Sequence, residues 1–234
     1  MEVYPIIFKF VDMAVRIGII CEGVSDYRIL KYITESYLSD IEVNAVPIQP
    51  KIATNGSQDE YGGWEIVLRT IAGEGNRIID ASIDDDFIIT QIDTDICHEY
   101  GIDSTDKNNE TLYEEISSLI DEKLPEDINP NKVIKAISIN SIECWLIPYV
   151  CQDKKKCERT NNCLNVVNNT IVKKDWGTID VANKNNHKAR RIYDKILSLK
   201  RKPREIKDAS RFNYGFSQFI CQLDKIRDEV QGDM

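Results

Sequence analysis

Three short runs rich in β-branched residues, Ile17 to Cys21, Phe87 to Ile92 and Val133 to Ile139, each lead into acidic residues, and segments of helical spacing separate them. This alternation constrains the chain to an α/β fold. A strand that returns to its own sheet through a helix makes a right-handed crossover, so such strands run parallel and present their carboxyl ends along one edge. In open sheets of this kind the functional side chains gather at that edge. The first run meets it with Glu22-Gly23-Val24-Ser25-Asp26, the second with Asp93-Thr94-Asp95, and the third with Asn140-Ser141-Ile142-Glu143.

Between these runs the chain reads simply. Ser25-Asp26 offers an N-cap and first-turn acid for a helix continuing from Tyr27 to Tyr37. Ile41 to Ile48 alternates with period two and predicts a second strand, near an edge because of Pro47. Ile52 to Gly63 reads as a loop, Trp64 to Ile71 as a helix ended by Gly73-Glu74-Gly75-Asn76, and Asp84-Asp85-Asp86 as a solvated turn. A helix over Glu110 to Leu124 stops before Pro125, and another opens at Ser141. Residues 151–186, rich in Cys, Asn and Lys, are expected to loop out as an insertion. His187 to Leu199 predicts a basic amphipathic helix with Ala189, Ile192, Ile196 and Leu199 inward, and Phe212 to Val230 a closing helix. The 234 residues thus read as one elaborated domain, with 1–15 an N-terminal extension and Met13 an ordinary alternative start.

Charge is distributed unevenly. The formal net charge of −9 argues against a protein that coats nucleic acid by bulk attraction, yet Lys184 to Arg211 holds eleven bases against three acids. Beside an acidic site this segment is the natural contact for a phosphate backbone, with Lys184, Arg190, Arg191, Lys200, Arg201 and Lys202 as its candidates. Seven cysteines, an odd number, without a secretory leader predict reduced thiols and a cytoplasmic protein. Cys151, Cys157 and Cys163, with His98 or His187, are spaced by six rather than as a zinc knuckle, so zinc is disfavoured. No apolar run is long enough to span a membrane. Trp64 and Trp145 read as core aromatics.

Each acid taken alone has an ordinary explanation, since acids favour first helical turns and loop starts. Together, Glu22, Asp26, Asp93, Asp95 and Glu143 at one sheet edge would repel one another unless a hard divalent cation neutralised them. Mg²⁺, with Mn²⁺ as substitute, prefers such all-oxygen ligands. Asp93 and Asp95, two apart, would share one side if the backbone is extended there. A dinucleotide-binding regulator is disfavoured, because no Gly-x-Gly-x-x-Gly or Walker loop follows any strand.

The ordered triple of Glu22-Gly23-x-Ser25-Asp26, Asp93-x-Asp95 and Asn140-Ser141-Ile142-Glu143-x-Trp145-Leu146 resembles the Toprim domain, in the nuclease branch of the overcoming-lysogenization-defect enzymes and small stand-alone bacterial proteins. Gly62-Gly63-Trp64-x-x-Val67 and Ser210-Arg211-Phe212 to Phe219 are similar to the stand-alone group. The resemblance covers most of residues 16–225, with 151–186 outside it. It implies a mostly parallel sheet of about four core strands flanked by helices and a metal-dependent phosphodiester hydrolysis of RNA, such as tRNA, or of DNA. Glu22 would act as general acid or base or as a metal ligand, Asp93 and Asp95 as the metal pair, and Asp26 and Glu143 as additional acids. A basic residue opposite the ions is implied as well. Lys184 or Lys188 could supply it, and Lys188 is taken for that catalytic role. The resemblance further implies a toxic effector of prokaryotic antiphage defence, controlled by a partner such as an ATPase. A catalytically silent module, binding a partner protein through a metal-shaped acidic surface, is the alternative, and self-association is left open.

Overall fold

The computed structural model describes residues 14–53 and 62–232. The expected alternative start, and most of the N-terminal extension, lie outside these residues, as does most of the loop after Ile52.

Four strands, β1 (Val15–Ile20), β2 (Val43–Gln49), β3 (Phe87–Asp93) and β4 (Val133–Ser138), form one sheet in the order β2-β1-β3-β4. Every pairing is parallel. The sheet is therefore the four-stranded parallel core expected from the sequence. Its apolar strands serve two cores at once, because successive side chains point to opposite faces. Ile17, Ile19, Phe87, Ile89, Ile134 and Ala136 pack on one face. Ile20, Ile88, Ile92 and Ile137 pack on the other.

The first core lies under helix α1 (Val24–Tyr37) and the helices that close the chain. The second lies under α2 (Trp64–Ile71), α3 (Arg77–Asp84) and α4 (Asn109–Lys123). Helix α1 begins two residues earlier than Ser25-Asp26 capping would have it. Gly23, in extended conformation, is its N-cap, and Asp26 stands in its first turn. After β4 a 3₁₀ turn over Ile142–Leu146 precedes α5 (Ile147–Val150), α6 (Lys154–Cys157) and α7 (Cys163–Ile171). Then come α8 (His187–Leu197), α9 (Pro203–Ser210) and α10 (Tyr214–Gly232).

Several expectations are corrected. Residues 151–186 do not stand away from the body, because Cys163, Val167, Ile171 and Ile179 are buried in the first core. Their apolar residues are sparse, and although Val172 and Val181 are exposed, these four fall on the inner side. Cys144 and Cys163 form a disulfide, their Cα atoms brought to 4.9 Å as α7 docks on the 3₁₀ turn, so the thiols are not all reduced. Leu199 lies beyond the end of α8 and is 41% exposed. Asp85 is not a solvated turn residue: it is buried, 2.5 Å from Arg16 Nε, while Asp86 accepts from Arg16 N. Trp145 is fully buried and stacked on Phe216 at 4.7 Å, whereas Trp64 is only partly buried, against Tyr100.

The outer edge of β4 is closed by α10. Gln222 accepts a hydrogen bond from Lys135 N at 2.9 Å and donates to Lys135 O at 3.0 Å, taking the place of a neighbouring strand. Gly215 permits that approach, since a Cβ there would lie 1.9 Å from Ile137 O.

Candidate functional site

The strand order fixes where a site can form. From β1 the chain crosses outward to β2, and from β3 it crosses the other way to β4, so the connections diverge between β1 and β3. The crevice outside the carboxyl ends of these two strands is the topological switch point of an open parallel sheet. Register brings the acids to it. Ile20 pairs with Thr90, so Glu22 arrives opposite the last residues of β3, and Asp93 pairs with Ser138 at the end of β4.

Specific hydrogen bonds hold this edge. Asp93 N donates to Glu22 Oε1 at 2.9 Å. Gln91, fully buried, ties the two strand ends together: its Oε1 accepts from Glu22 N at 3.3 Å and its Nε2 donates to Asp93 Oδ1 at 2.7 Å. The chain then turns rather than staying extended, with Thr94 N donating to Ser138 O and Asn140 O. Asp95 therefore stands at the exposed rim rather than in line with Asp93. Asn140 adopts φ 67°, a left-handed conformation that asparagine tolerates better than most residues. Its N–H donates to Thr94 Oγ1 at 2.7 Å, and beyond it Ile142 N donates to Asp93 Oδ1 at 3.1 Å. Glu143, 1% exposed, follows in the 3₁₀ turn.

Lys184 completes the cluster. Its Nζ lies 2.6 Å from Glu143 Oε1, which also accepts from Tyr193 of α8 at 3.3 Å. The next residue anchors the segment, since Asn185 Oδ1 accepts from Ser25 N at 3.2 Å and Asn185 O from Arg190 Nε at 2.9 Å.

The electrostatics are those of one coupled group. Burial, then the nearby Glu143 and Glu22, push Asp26 up to about 8. Burial likewise pushes Glu22 up to about 7, against the pull of the Asp93 N–H and with Asp95 adding repulsion. Asp93 is held well above the usual carboxylate range by burial and by the other four acids. Asp95 is raised mainly by burial, with Lys184 opposing. Burial lowers Lys184, but Glu143 outweighs it, so its ammonium is held charged above the ordinary range. Glu22, Asp26, Asp93 and Asp95 are thus costly to ionise beside the rest, and each would gain from a cation.

The donor set fits a hard divalent ion in its chemistry: five carboxylates, with the adjacent Cys21 thiol buried, kept protonated and turned to Gly23 O and Gln49 O. Among the described residues no three acid, imidazole or thiol side chains are gathered with ligand geometry as they stand. Glu22, Asp93 and Glu143 each accept from protein donors, Glu22 and Glu143 through Oε1.

All five predicted acids therefore lie at this end of the sheet, near enough to feel one another's charge. Lys184, counted by sequence with the phosphate-contacting bases, is the base that pairs with them, while Lys188 lies beside the loop at Gly177. Arg190 is partly buried near the site and Arg191 is exposed. Lys200, Arg201 and Lys202 lie past the far end of α8, about 16 Å along an 11-residue helix from its start. Gln91 and Tyr193 were not legible as site residues, because apolar surroundings give a buried amide or phenol no sequence signature. For zinc, Cys163 is consumed in the disulfide and Cys157 Sγ faces Cys151 O.

Comparison of the chain with family models, with curated proteins and with solved structures gives no match in any of the three. Among the described residues no helix is long and apolar enough to cross a membrane.

Proposed function

We propose that the chain is a Mg²⁺-dependent nuclease of Toprim type, hydrolysing phosphodiester bonds in RNA or DNA. The observation that carries this reading is the convergence of Glu22, Asp26, Asp93, Asp95 and Glu143, with Lys184, at the switch point of a parallel sheet. An all-oxygen, mutually repelling cluster beside a fixed ammonium suits a polyanionic substrate bridged by cations.

Asp93, Asp95, Asp26 and Glu143 would hold the ion, Mn²⁺ substituting for Mg²⁺. When bound, it supplies the charge that neutralises the acids and lowers the pKa of an attacking water. Glu22, whose proton affinity is set near 7, is matched to taking a proton from that water or returning one to the leaving oxygen. Lys184 opposes the charge that grows on the phosphate oxygens. Gln91 orients Asp93, and Tyr193 with Lys184 holds Glu143. A net charge of −9 gives little general attraction for nucleic acid, which supports recruitment by a regulatory partner such as an ATPase and a place as a cytoplasmic effector in antiphage defence.

A second reading, a catalytically silent module that engages a partner protein, draws on the way the acids already face protein donors. One experiment separates the two. Purified protein is incubated with tRNA, rRNA and plasmid DNA in Mg²⁺ or Mn²⁺, beside Glu22→Gln and Asp93→Asn. Cleavage by wild type alone is expected. Cation binding without turnover on any substrate favours the silent module, and equal cleavage by all three proteins removes the catalytic assignment.

A further inference from the structure

Helix α1 carries the acid site on one side and a second feature on the other. Asp26, Ile29, Leu30, Ile33 and Tyr37 turn inward. Tyr27, Arg28, Lys31, Tyr32 and Glu35 fall on the outward stripe at helical spacing. With the buried Val24, Ile52 beyond β2 and Asp194 of α8 they line a cavity of about 370 Å³. That volume is within the range of small-ligand sites.

Its chemistry is selective. The charges are paired within the wall: Arg28 Nη1 lies 2.9 Å from Asp194, and Lys31 Nζ lies 3.1 Å from Glu35. A phosphate would have to break those pairs, so the cavity favours a flat, uncharged, polar group. Two tyrosine rings offer it apolar surface, and the two carboxylates can accept from an amino group. Arg28, partly exposed in the wall and with one Nη on Asp194, keeps further guanidinium N–H groups from which a carbonyl or ring nitrogen could accept. Nucleobases combine these features, and stacking on aromatic side chains is how proteins commonly hold unpaired bases.

The cavity is also tied to the acids. Val24, in its wall, is two residues past Glu22, and Arg28 is one helical turn on, about 6 Å. From Lys184 a second route runs through Asn185, which accepts from Ser25 N and Arg190 Nε, to Asp194 one turn further along α8. A strand with a phosphate at the acids would pass over the start of α1 and reach this face with a neighbouring base.

We propose that the cavity binds one unstacked nucleobase of the substrate strand and thereby sets where the strand is cut. This rests on the nuclease reading above. The test maps cut positions and kcat and KM on a single-stranded oligonucleotide set for wild type, Tyr32→Ala, Tyr32→Phe and Arg28→Gln, with Glu22→Gln as control. Binding of the four nucleosides to the full-length protein is measured in parallel by saturation-transfer NMR. Expected are a KM raised about tenfold or more in Tyr32→Ala, little change in kcat, scattered cut positions, recovery in Tyr32→Phe, and nucleoside binding that Arg28→Gln weakens. Unchanged KM, cut positions and nucleoside signals in Tyr32→Ala and Arg28→Gln, with Glu22→Gln inactive, overturn the base cavity and leave the nuclease reading intact. If Tyr32→Ala fails to fold, Arg28→Gln and the nucleoside signals decide. No cleavage by wild type of the oligonucleotides or of the tRNA, rRNA and plasmid substrates overturns both.

Discussion

Glu143 and Lys184 show how a single pair can be structural and chemical at once. Lys184 sits close to a carboxylate that is almost wholly buried, so removing the ammonium leaves an uncompensated charge among four other acids. Lys184→Met is expected to reduce cleavage about 100-fold or more, the usual cost of removing one group that stabilises developing charge, with kcat as the readout. Glu22→Gln should do the opposite to stability. It removes one member of a repelling cluster while keeping the acceptor for Asp93 N, so Tm at pH 8 without divalent cation should rise as activity disappears. At this scale the sequence was readable where an acid ended a strand-like run, as at Glu22, Asp93 and Glu143. Lys184's partner was not readable. Its meeting with Glu143 depends on how a segment with few apolar residues folds back over the sheet, and no local pattern encodes that.

Among the elements, α10 and β4 form the most demanding joint. Gly215 lies almost on Ile137 O, and Gln222 completes the bonding of Lys135. Gly215→Ala should cost about 1–3 kcal/mol by forcing the helix off the strand, measured as a shift of the urea midpoint. The main strands and α1, α2, α4 and α10 were legible because each has a clean period and a stop signal. Helix α3 was not: only Ile78 and Ala81 are buried and Ile83 is 78% exposed, so its apolar stripe is thin. The signals for α9 were present in Pro203 at its first position and Glu205, which accepts from Lys202 N. Residues 151–186 misled because their few inward side chains are diluted by Asn and Lys.

For the molecule as a whole, a sheet whose connections diverge between β1 and β3 has its carboxylates gathered where neighbouring backbone can hold them but not neutralise them. The folded protein therefore binds protons on Glu22 and Asp26 more tightly than the unfolded chain does. Their contribution to stability is fully present below the ordinary carboxylate range. It is lost as pH rises towards about 7 for Glu22 and about 8 for Asp26, at up to about 1.4 kcal/mol per pH unit for each group. Without divalent cation, Tm should fall between pH 5 and 8. With Mg²⁺ the fall should flatten, because the ion competes with protons at Asp26 and its charge favours ionised Glu22 beside it. Calorimetric scans over that range check both slopes.

If these acids form a cation site, the cation should bind in competition with protons. Isothermal titration of Mg²⁺ into wild type, Glu22→Gln and Asp93→Asn, at pH 6 and pH 8, tests it most directly. Wild type should bind saturably, more tightly at pH 8, with proton release visible as a dependence of the heat on the buffer, and Asp93→Asn should lose this binding. The same titration curve from all three proteins at both pH values would contradict the cation site.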